Sequence, residues 1–394
     1  MPIIADTAYP RLPTDPSFAE LEAFTPEAAE IAFARQRTRQ PGPRLALLVL
    51  LKTFQRLGYF ASLADMPAAI VIHIAASIGL DSAVHEIGGY DDATYRVRLA
   101  ALVRGFVGVT GYDREARGIA VRACIEAART RDDLADIVNA GIEELLRHRR
   151  ELPAFGTLLK LARTARALVN RAYHRRIAAA LPREVHERLA ALLVVPEGAT
   201  RSAWDQVKLE PSRPSPQRMR EHLAHLTWLR EQGVADAVFA DIPNRKLRHF
   251  AAEARSLNAA VLSHVTESKR VAIMAALLRR QVARGLDDAS EMFVRLTTRM
   301  HNRAKEALEA HRVRHAAETD ALVALLRETV LVCQNQQAGR DARLTAVEDL
   351  LLPGADAILT KCDAHAALAG NNYLPLLRRF YKGQRAAFTC IQRA

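Results

Sequence analysis

The sequence predicts an all-α protein, and two observations support this prediction. Apolar residues recur at three- and four-residue spacing through most of the 394 residues, which is the periodicity of an amphipathic helix. No segment combines two-residue alternation with β-branched residues, and no Asn-Gly or Asp-Gly turn joins two such segments, so no β-hairpin is predicted. Glycine and proline punctuate the periodic segments, as they do at the ends of helices.

The composition favours a folded, basic protein. Hydrophobic residues make up 49% of the chain, which allows a buried core and argues against wholesale disorder. Lysine and arginine number 56 against 44 aspartates and glutamates, giving a net charge of +12, and most of the cations are arginine. Because arginine holds phosphate with a planar fork of donors, a polyanion is the first partner to test. Net charge alone leaves a merely basic protein without such a partner equally open.

Nothing in the sequence predicts secretion or a membrane span. The N-terminal segment MPIIADTAYPRLPTDP lacks the basic-then-apolar order of a signal peptide. No apolar run approaches the roughly 20 residues that a spanning helix needs. The four cysteines, Cys124, Cys333, Cys362 and Cys390, are far apart and form no C-x-x-C pair, which favours reduced thiols. We therefore expect a cytoplasmic protein with no membrane partner.

Residues 41–80 are predicted to form a helix, a short turn and a second helix. The first covers residues 44–57 and ends at Gly58, and the second covers residues 67–78 and ends at Gly79. With the helix ahead of them they make three helices, the number in a minimal DNA-binding module and also the unit of any small helical bundle.

The second helix of this pair is too apolar to lie in a DNA groove, so we expect it to form the core of the module. If the module contacts DNA, the contact is expected from residues 35–44 or from Lys52 and Arg56.

Residues 92–195 are predicted to hold five helices, and residues 147–176 are their most basic part. This part has nine lysines or arginines and one acid, Glu151. Positions 163, 166 and 170/171 lie on one side of a helix, so the charge forms a stripe. A solvated surface is the alternative interpretation, but such a surface usually mixes signs to form i,i+4 pairs.

The remaining chain is predicted to be a proline-rich linker followed by more helices. Arg245, Lys246 and Arg248 form a basic turn at a helix N-terminus, an end that favours anions. Residues 267–284 are predicted as a basic helix, and residues 286–333 as a separate long helix that serves as a spine or partner surface.

The fold class is thus tandem small helical (helix-turn-helix-like) DNA-binding modules followed by a long-helix region. The predicted divisions are an irregular arm (1–20), a first module (21–88), a second module (89–195), a linker (196–216), a third module (217–285) and the long-helix region (286–394).

Candidates for catalysis or metal binding are weak. His311 and His315 are four apart on the long helix, but no third ligand is near, so a solvated pair is the better interpretation. Cys362 and His365 are likewise half of a metal site. No G-x-x-x-x-G-K-[ST], G-x-G-x-x-G or G-x-S-x-G motif occurs, and no carboxylates suggest a two-metal centre.

The order of several segments resembles the replicative, cointegrate-forming transposases of the Tn-three family. In the first half these segments are FTPEAAEIAFARQR, LALLVLLKTFQRLGYFASLADMPAAIVIHIAASIGL, YRVRLAALVRGFVGV and ELPAFGTLLKLAR. Further along they are DIPNR with LRHFAAEA after it, the long helix, and AGNNYLPLLRRFYKGQRA. The likeness covers nearly all of the chain from about residue 20.

This resemblance implies a series of helical domains that recognise the terminal inverted repeats of a transposon. Family members are much longer and carry an RNase H-like domain with an Asp/Asp/Glu metal-binding triad in their C-terminal part. No segment of this sequence matches that domain, so we expect no catalytic residue, no enzyme activity and no cofactor in this chain. Mg²⁺ is expected only for the absent catalytic domain.

The resemblance and the basic stripes together predict contacts to double-stranded DNA at transposon ends, most of them to phosphates. The predicted contact residues are Lys52, Arg56, Arg96, Arg98, Arg104, Arg163, Arg166, Arg171, Arg175, Arg176, Arg213, Arg245, Lys246 and Arg248. A homodimer is left open, and association with the nucleoid would follow from DNA binding. The alternatives are a helical scaffold or interaction protein, and a truncated transposase that regulates an intact one.

Overall fold

The structure is a computed structural model that describes residues 3–211 and 213–393. Within this part of the chain every regular element is a helix, and the one pairing of extended backbone is an isolated bridge between Thr110 and Arg150. The all-α prediction is therefore confirmed. None of the described helices is long and apolar enough to cross a membrane.

The chain divides into two compact units. Unit 1 comprises Met1–Pro182, Asp236–Leu257 and Val261–Ala276, and unit 2 comprises Arg183–Ala235, Asn258–Ala260 and Leu277–Ala394. These two units do not test the predicted division into modules, linker and long-helix region, which stays a prediction. Residues 1 and 2 of the predicted arm lie outside the described part.

Unit 1 contains two helical clusters and one helix, α12 (Asn244–Ser256), that comes later in the chain, after segments of unit 2. Its helices are α1 (Phe18–Glu22), α2 (Ala28–Arg37), α3 (Pro41–Leu57), α4 (Ala68–Ile78), α5 (Ala93–Val107), α6 (Arg114–Thr130), α7 (Leu134–Arg147), α8 (Phe155–Ala180) and α12 (Asn244–Ser256).

Helix α3 is the centre of the first cluster, because it is apolar on every side. All of residues 45–54 are buried, which is expected only of a helix surrounded by others. Gly58 ends α3 and Gly79 ends α4, both with a positive φ of 69° that glycine adopts without strain. The predicted helix, turn and helix are therefore present, and α4 packs as core.

Helix α5 completes this first cluster. Its Leu99 and Val103 are buried among the side chains of α3. The predicted boundary between residues 88 and 89 thus falls inside one hydrophobic core, and α5 belongs with α2–α4.

The second cluster consists of α6, α7 and α8, and the N-terminal arm is docked on it. Tyr9 is buried, its ring lies 5.0 Å from that of Tyr59, and its hydroxyl donates to the Pro153 carbonyl at 3.0 Å. Burial raises the pKa of the Tyr9 phenol. Cys124 lies in the same core, where burial raises the pKa of its thiol to about 11. This cysteine is therefore protonated at neutral pH.

Unit 2 contains the short helices that follow α8 and the helices of the C-terminal region. Its helices are α9 (Arg183–Ala191), α10 (Ala203–Val207), α11 (Pro216–Glu231), α15 (Arg340–Leu351), α16 (Ala355–Ala367) and α17 (Leu374–Arg393). Two further helices, α13 (Ala259–Ser263) and α14 (Glu267–Gln334), carry residues of both units.

The predicted linker, residues 196–216, is anchored within unit 2. Trp204 and Val207 of α10 are fully buried, and the amide of Gln281 donates to the Val207 carbonyl at 2.7 Å. A segment with a buried tryptophan is held in place, whatever its proline content.

Helix α14 is one continuous helix of 68 residues, where the sequence predicted two helices separated near Gly285. The glycine serves close packing and does not end the helix. A Cβ there would lie 3.1 Å from Leu226 Cδ1, and the ring of His222 bonds the Gly285 carbonyl at 2.8 Å. The packing of α11 against Gly285 thus accounts for a glycine inside a continuous helix.

Candidate nucleic-acid interface

Three helices of unit 1 that carry lysine or arginine, α3, α5 and α8, contain no aspartate or glutamate. Their cations can be neutralised only by acids from other elements. The structure shows which of them are neutralised in this way and which are left facing outward.

The outward face of α8 carries a group of four cations without acid partners among the described residues. At 100° per residue, Lys160, Arg163, Arg171 and Arg175 fall within about 120° of arc. Three of them are exposed and Arg163 is half-buried. No acid pairs with these four within residues 3–211 and 213–393. We call this set the α8 face; Lys160 belongs to it although it was not among the predicted contacts.

Arg166, predicted as part of the same stripe, points elsewhere. Its Nη1 donates to the Asp132 carbonyl at 3.2 Å and lies 3.9 Å from the Asp132 carboxylate. Arg166 therefore ties α8 to the connection between α6 and α7.

Asp132 is the centre of a polar network that joins α8 to α12. Its carboxylate accepts from Lys246 at 2.7 Å, from Asn170 at 2.9 Å and from His249 at 2.9 Å. Burial alone would raise the pKa of Asp132, but these hydrogen bonds outweigh it and hold that pKa well below its usual range.

The prediction that Lys246 contacts DNA is wrong. Its side chain is fully buried and bonds both Asp132 and, at 2.8 Å, Asn170 Oδ1. Burial lowers the pKa of Lys246, whereas the bond to Asp132 opposes that change. A buried ammonium group must be paired with an acid to be tolerated in the core. The bonds of Lys246 to Asp132 and Asn170 hold α12 in place.

Of the two other arginines in the α12 turn, one is paired as well. Arg245 is exposed but bonds Asp136 of α7 at 3.2 Å, and Arg176 of α8 bonds Asp241 just ahead of α12. Arg248 of the same turn is exposed and has no acid partner among the described residues. The basic turn is thus chiefly a docking site within unit 1.

His174 of α8 lies beneath this docked segment. It is buried, its ring lies 4.7 Å from that of Phe250, and its Nε2 has no hydrogen-bond partner in the described structure. Burial lowers the pKa of His174 to about 4, and the nearby Lys269 adds to the effect. The imidazole is therefore neutral at physiological pH.

The prediction for Lys52 is also wrong. It is buried and forms an ion pair with Glu30 at 3.1 Å, and Gln55 donates to the same carboxylate at 2.7 Å. Its neighbour Arg56 is exposed, with its guanidinium 5.8 Å from the centre of the Phe24 ring. A lysine inside the first core cannot contact a phosphate from there.

Two of the α5 arginines brace the loop that holds Phe60. Arg96 bonds Asp91 at 3.3 Å and the Phe60 carbonyl at 3.0 Å. Arg104 bonds Glu151 at 2.8 Å and lies 5.1 Å from the centre of the Phe60 ring. Both are half-buried, so each is at most partly free for a ligand.

The third arginine, Arg98, lies on an outward face of α5. This face also carries Thr94, Val97, Ala101 and Gly105, all exposed and within about 100° of arc. Val97 is 68% exposed, and no acid pairs with Arg98 in the described chain. We call this set the α5 face.

Arg213, the predicted contact in unit 2, is exposed. Nothing in the structure tests it, and it stays a prediction together with Arg56, Arg98, Arg163, Arg171, Arg175 and Arg248.

Two neighbouring histidines of α14 do not build a metal centre. The His311 and His315 rings are stacked at 4.2 Å, and His315 bonds Glu318 at 2.9 Å. His365 and these two histidines line one surface cavity. Among the described residues no three histidine, cysteine or acidic side chains come close enough together to hold a metal ion.

One family model and two transposases are similar to parts of this chain. A family model described as a domain of unknown function (DUF4158) matches residues 4–165. The transposase for transposon Tn501 of Pseudomonas aeruginosa is 22% identical over 283 residues, which are 72% of this chain and 28% of the relative. The transposase for transposon gamma-delta of Escherichia coli (strain K12) is 26% identical over 182 residues, which are 46% of this chain and 18% of the relative.

The chain is related to the transposases of the Tn-three family and resembles their N-terminal region, as its sequence predicts. It spans less than a third of the length of these two curated relatives.

Proposed function

We propose that this chain binds double-stranded DNA in a sequence-specific way at the terminal inverted repeats of a transposon. The α8 face is the observation that carries the proposal, because it presents four cations on a helix without acids. Each phosphate that such a cation neutralises releases counterions, which makes binding strong at low salt and weak at high salt. The relation to transposases supports DNA as the polyanion.

The experiment is a titration of a fluorescent duplex with the full chain at several salt concentrations. We compare the wild type with a variant that carries Arg163→Gln, Arg171→Gln and Arg175→Gln. Because each lost phosphate contact removes about 0.9 from the slope of log K against log salt, the slope should fall by about 2 to 3.

A matched control removes the same charge from paired arginines. Arg129, Arg147 and Arg183 each bond an acid on their own helix, and all three are exposed. Changing them to glutamine should leave the slope nearly unchanged. Equal effects of both variants would contradict the role of the α8 face, and a wild type without salt-dependent DNA binding would contradict the proposed function.

For base recognition we propose the α5 face. An α-helix fits the major groove, and the exposed side of α5 offers few bulky side chains that would keep it from the bases. Val97 and Ala101 suit the thymine methyl group, and Arg98 suits the two acceptors of guanine. The opposite side of α5 is held in the first core by Leu99 and Val103, which fixes the direction of this face.

Selection of binding sequences from a random duplex pool tests this assignment. Arg98→Ala and Val97→Ser should each relax the preference at one or two base positions, by about 1–3 kcal/mol per position. Arg163→Gln should lower affinity for all sequences alike. Unchanged sequence preference in both α5 variants would contradict the assignment.

In this proposal the chain recognises DNA ends and does not cleave them, and binding needs no Mg²⁺. The aligned part amounts to 28% of one transposase and 18% of the other. A strand-transfer assay with Mg²⁺ should give no product from the purified chain; product would contradict this part of the proposal.

A second candidate function is association with a protein partner, including a second copy of the chain. Val323, Leu326 and Val330 of α14 follow one another at three- and four-residue spacing and are 60%, 64% and 44% exposed. Light scattering on the purified chain measures its mass directly. A dimer that Leu326→Glu converts to a monomer would favour this function alongside DNA binding.

A further inference from the structure

Helix α17 in unit 2 has one packed face and one cationic face. Arg378, Arg379, Lys382 and Arg385 are all exposed and fall within about 120° of arc. None of the four was among the contacts that the sequence predicted. We call this set the α17 face.

The opposite face of α17 is held by α11 and α14. Ala387 is buried in a core with Met219 and Met292, and the Phe388 ring lies 5.3 Å from that of Phe293 in an edge-to-face contact. Because the apolar side is anchored in unit 2, the cations are held in one outward direction.

The charge of this face is not cancelled within the described structure. The 20 residues of α17 include no aspartate or glutamate, and no acid of a neighbouring helix pairs with the four cations in the part of the chain that is described. The exposed part of α14 differs, because there Arg312 has Glu309 within 3.8 Å. A solvated surface mixes signs in the latter way.

Two features of α17 indicate the kind of ligand: its exposed face is cationic, and its apolar face is packed and therefore cannot insert into a membrane. A basic amphipathic helix binds a membrane surface by inserting its apolar side among lipids. The apolar side of α17 packs against α11 and α14, with Ala387 only 1% exposed. A hydrated polyanion therefore fits the α17 face better than a lipid surface does.

The dimensions of the face suit a DNA backbone. Seven residues separate Arg378 from Arg385, a distance of about 10 Å along the helix. Along one strand of B-DNA this corresponds to about three nucleotide steps at 3.4 Å each.

We propose that the α17 face binds phosphates of double-stranded DNA without reading sequence, as a contact surface of unit 2 in addition to those of unit 1. This inference rests on the proposed function, since both need DNA as the ligand. It assigns to the C-terminal helix a direct part in DNA binding.

The test uses the full chain and a random-sequence duplex of about 40 base pairs, long enough for many phosphate contacts. Arg378→Gln, Lys382→Gln and Arg385→Gln together should lower the slope of log K against log salt by about 2 to 3, since each contact contributes about 0.9. Glutamine keeps a good helix propensity, and circular dichroism confirms that the helix content is unchanged.

Two controls make the result specific. Arg312→Gln, Arg314→Gln and Arg327→Gln remove the same charge from exposed positions of α14 and should leave the slope nearly unchanged. Arg378→Lys with Arg385→Lys keeps the charge of the face and should retain the wild-type slope.

The outcomes separate this inference from the proposed function. A normal wild-type slope that persists in the triple glutamine variant overturns the α17 assignment and leaves the proposed function intact. A wild type that does not bind the random-sequence duplex overturns the α17 assignment, and a wild type that also fails to bind inverted-repeat DNA overturns the proposed function as well. Sedimentation with phosphatidylserine vesicles that is lost in the glutamine variant, while DNA binding is unchanged, identifies a membrane surface and also overturns the assignment.

Discussion

The α8 face and the N-terminal turn of α12 are two basic regions of unit 1 that look alike in the sequence and differ in the structure. The cations of the α8 face have no acid partner among the described residues. In the α12 turn, Lys246 and Arg245 are bound to Asp132 and Asp136. The α12 turn stabilises the fold, whereas the α8 face is available for a ligand.

The difference shows that local charge does not by itself identify a binding surface. Asp132 lies just before α7 and Asp136 lies in its first turn, far from α12 in the chain. A cation is free when no distant acid reaches it in the fold, and α8 keeps its free cations because they point away from those acids.

The largest expected effect tests the structural role of the α12 turn. Lys246→Met leaves the Asp132 carboxylate buried without its main partner, so the free energy of unfolding should fall by about 3–5 kcal/mol. Urea unfolding followed by circular dichroism measures it. Arg248→Met, an exposed neighbour, should change stability by less than about 0.5 kcal/mol. Equal effects of the two would remove the distinction between paired and free cations.

The next effect concerns pH and the histidine beneath α12. The pKa of His174 is lowered from 6.5 to about 4 in the folded chain, so the unfolded chain binds more protons between these values. Stability should therefore fall as pH drops from about 6.5 to about 4, by up to about 3 kcal/mol. His174→Phe should flatten this part of the profile; a wild-type profile that is already flat there would contradict the prediction.

Asp132 should affect the stability of the fold at lower pH than His174 does. Its folded pKa lies below its usual range, so its contribution is present above the unfolded value near 3.9 and is lost as pH falls further. Destabilisation below about pH 4 should persist in His174→Phe, which separates the two groups.

The smallest expected effect sharpens the boundary of the α8 face. Lys160→Gln should lower the salt slope of DNA binding by about 0.9, because it removes one phosphate contact. Arg166→Gln should leave that slope nearly unchanged, since Arg166 faces Asp132. Anisotropy titrations resolve the difference, and a reversed order of the two would assign the face to the other side of the helix.

Much of the fold could be predicted from the sequence because it depends on local signals. Gly58 and Gly79 end their helices as expected, since glycine alone adopts a positive φ there without strain. The roles of Lys246 and Gly285 could not be predicted. Lys246 pairs with an acid 114 positions away, and Gly285 accommodates a side chain of α11. No local pattern carries such information.

The docked N-terminal arm has a consequence for dissecting the protein into fragments. Tyr9 fills a place in the second core, and the Ala8 amide donates to Asn139 at 2.7 Å. A fragment that begins at residue 21 would therefore uncover the rings of Tyr59 and Phe155. A fragment that comprises α6–α8 should therefore include the segment around Tyr9, either in the same chain or as an added peptide.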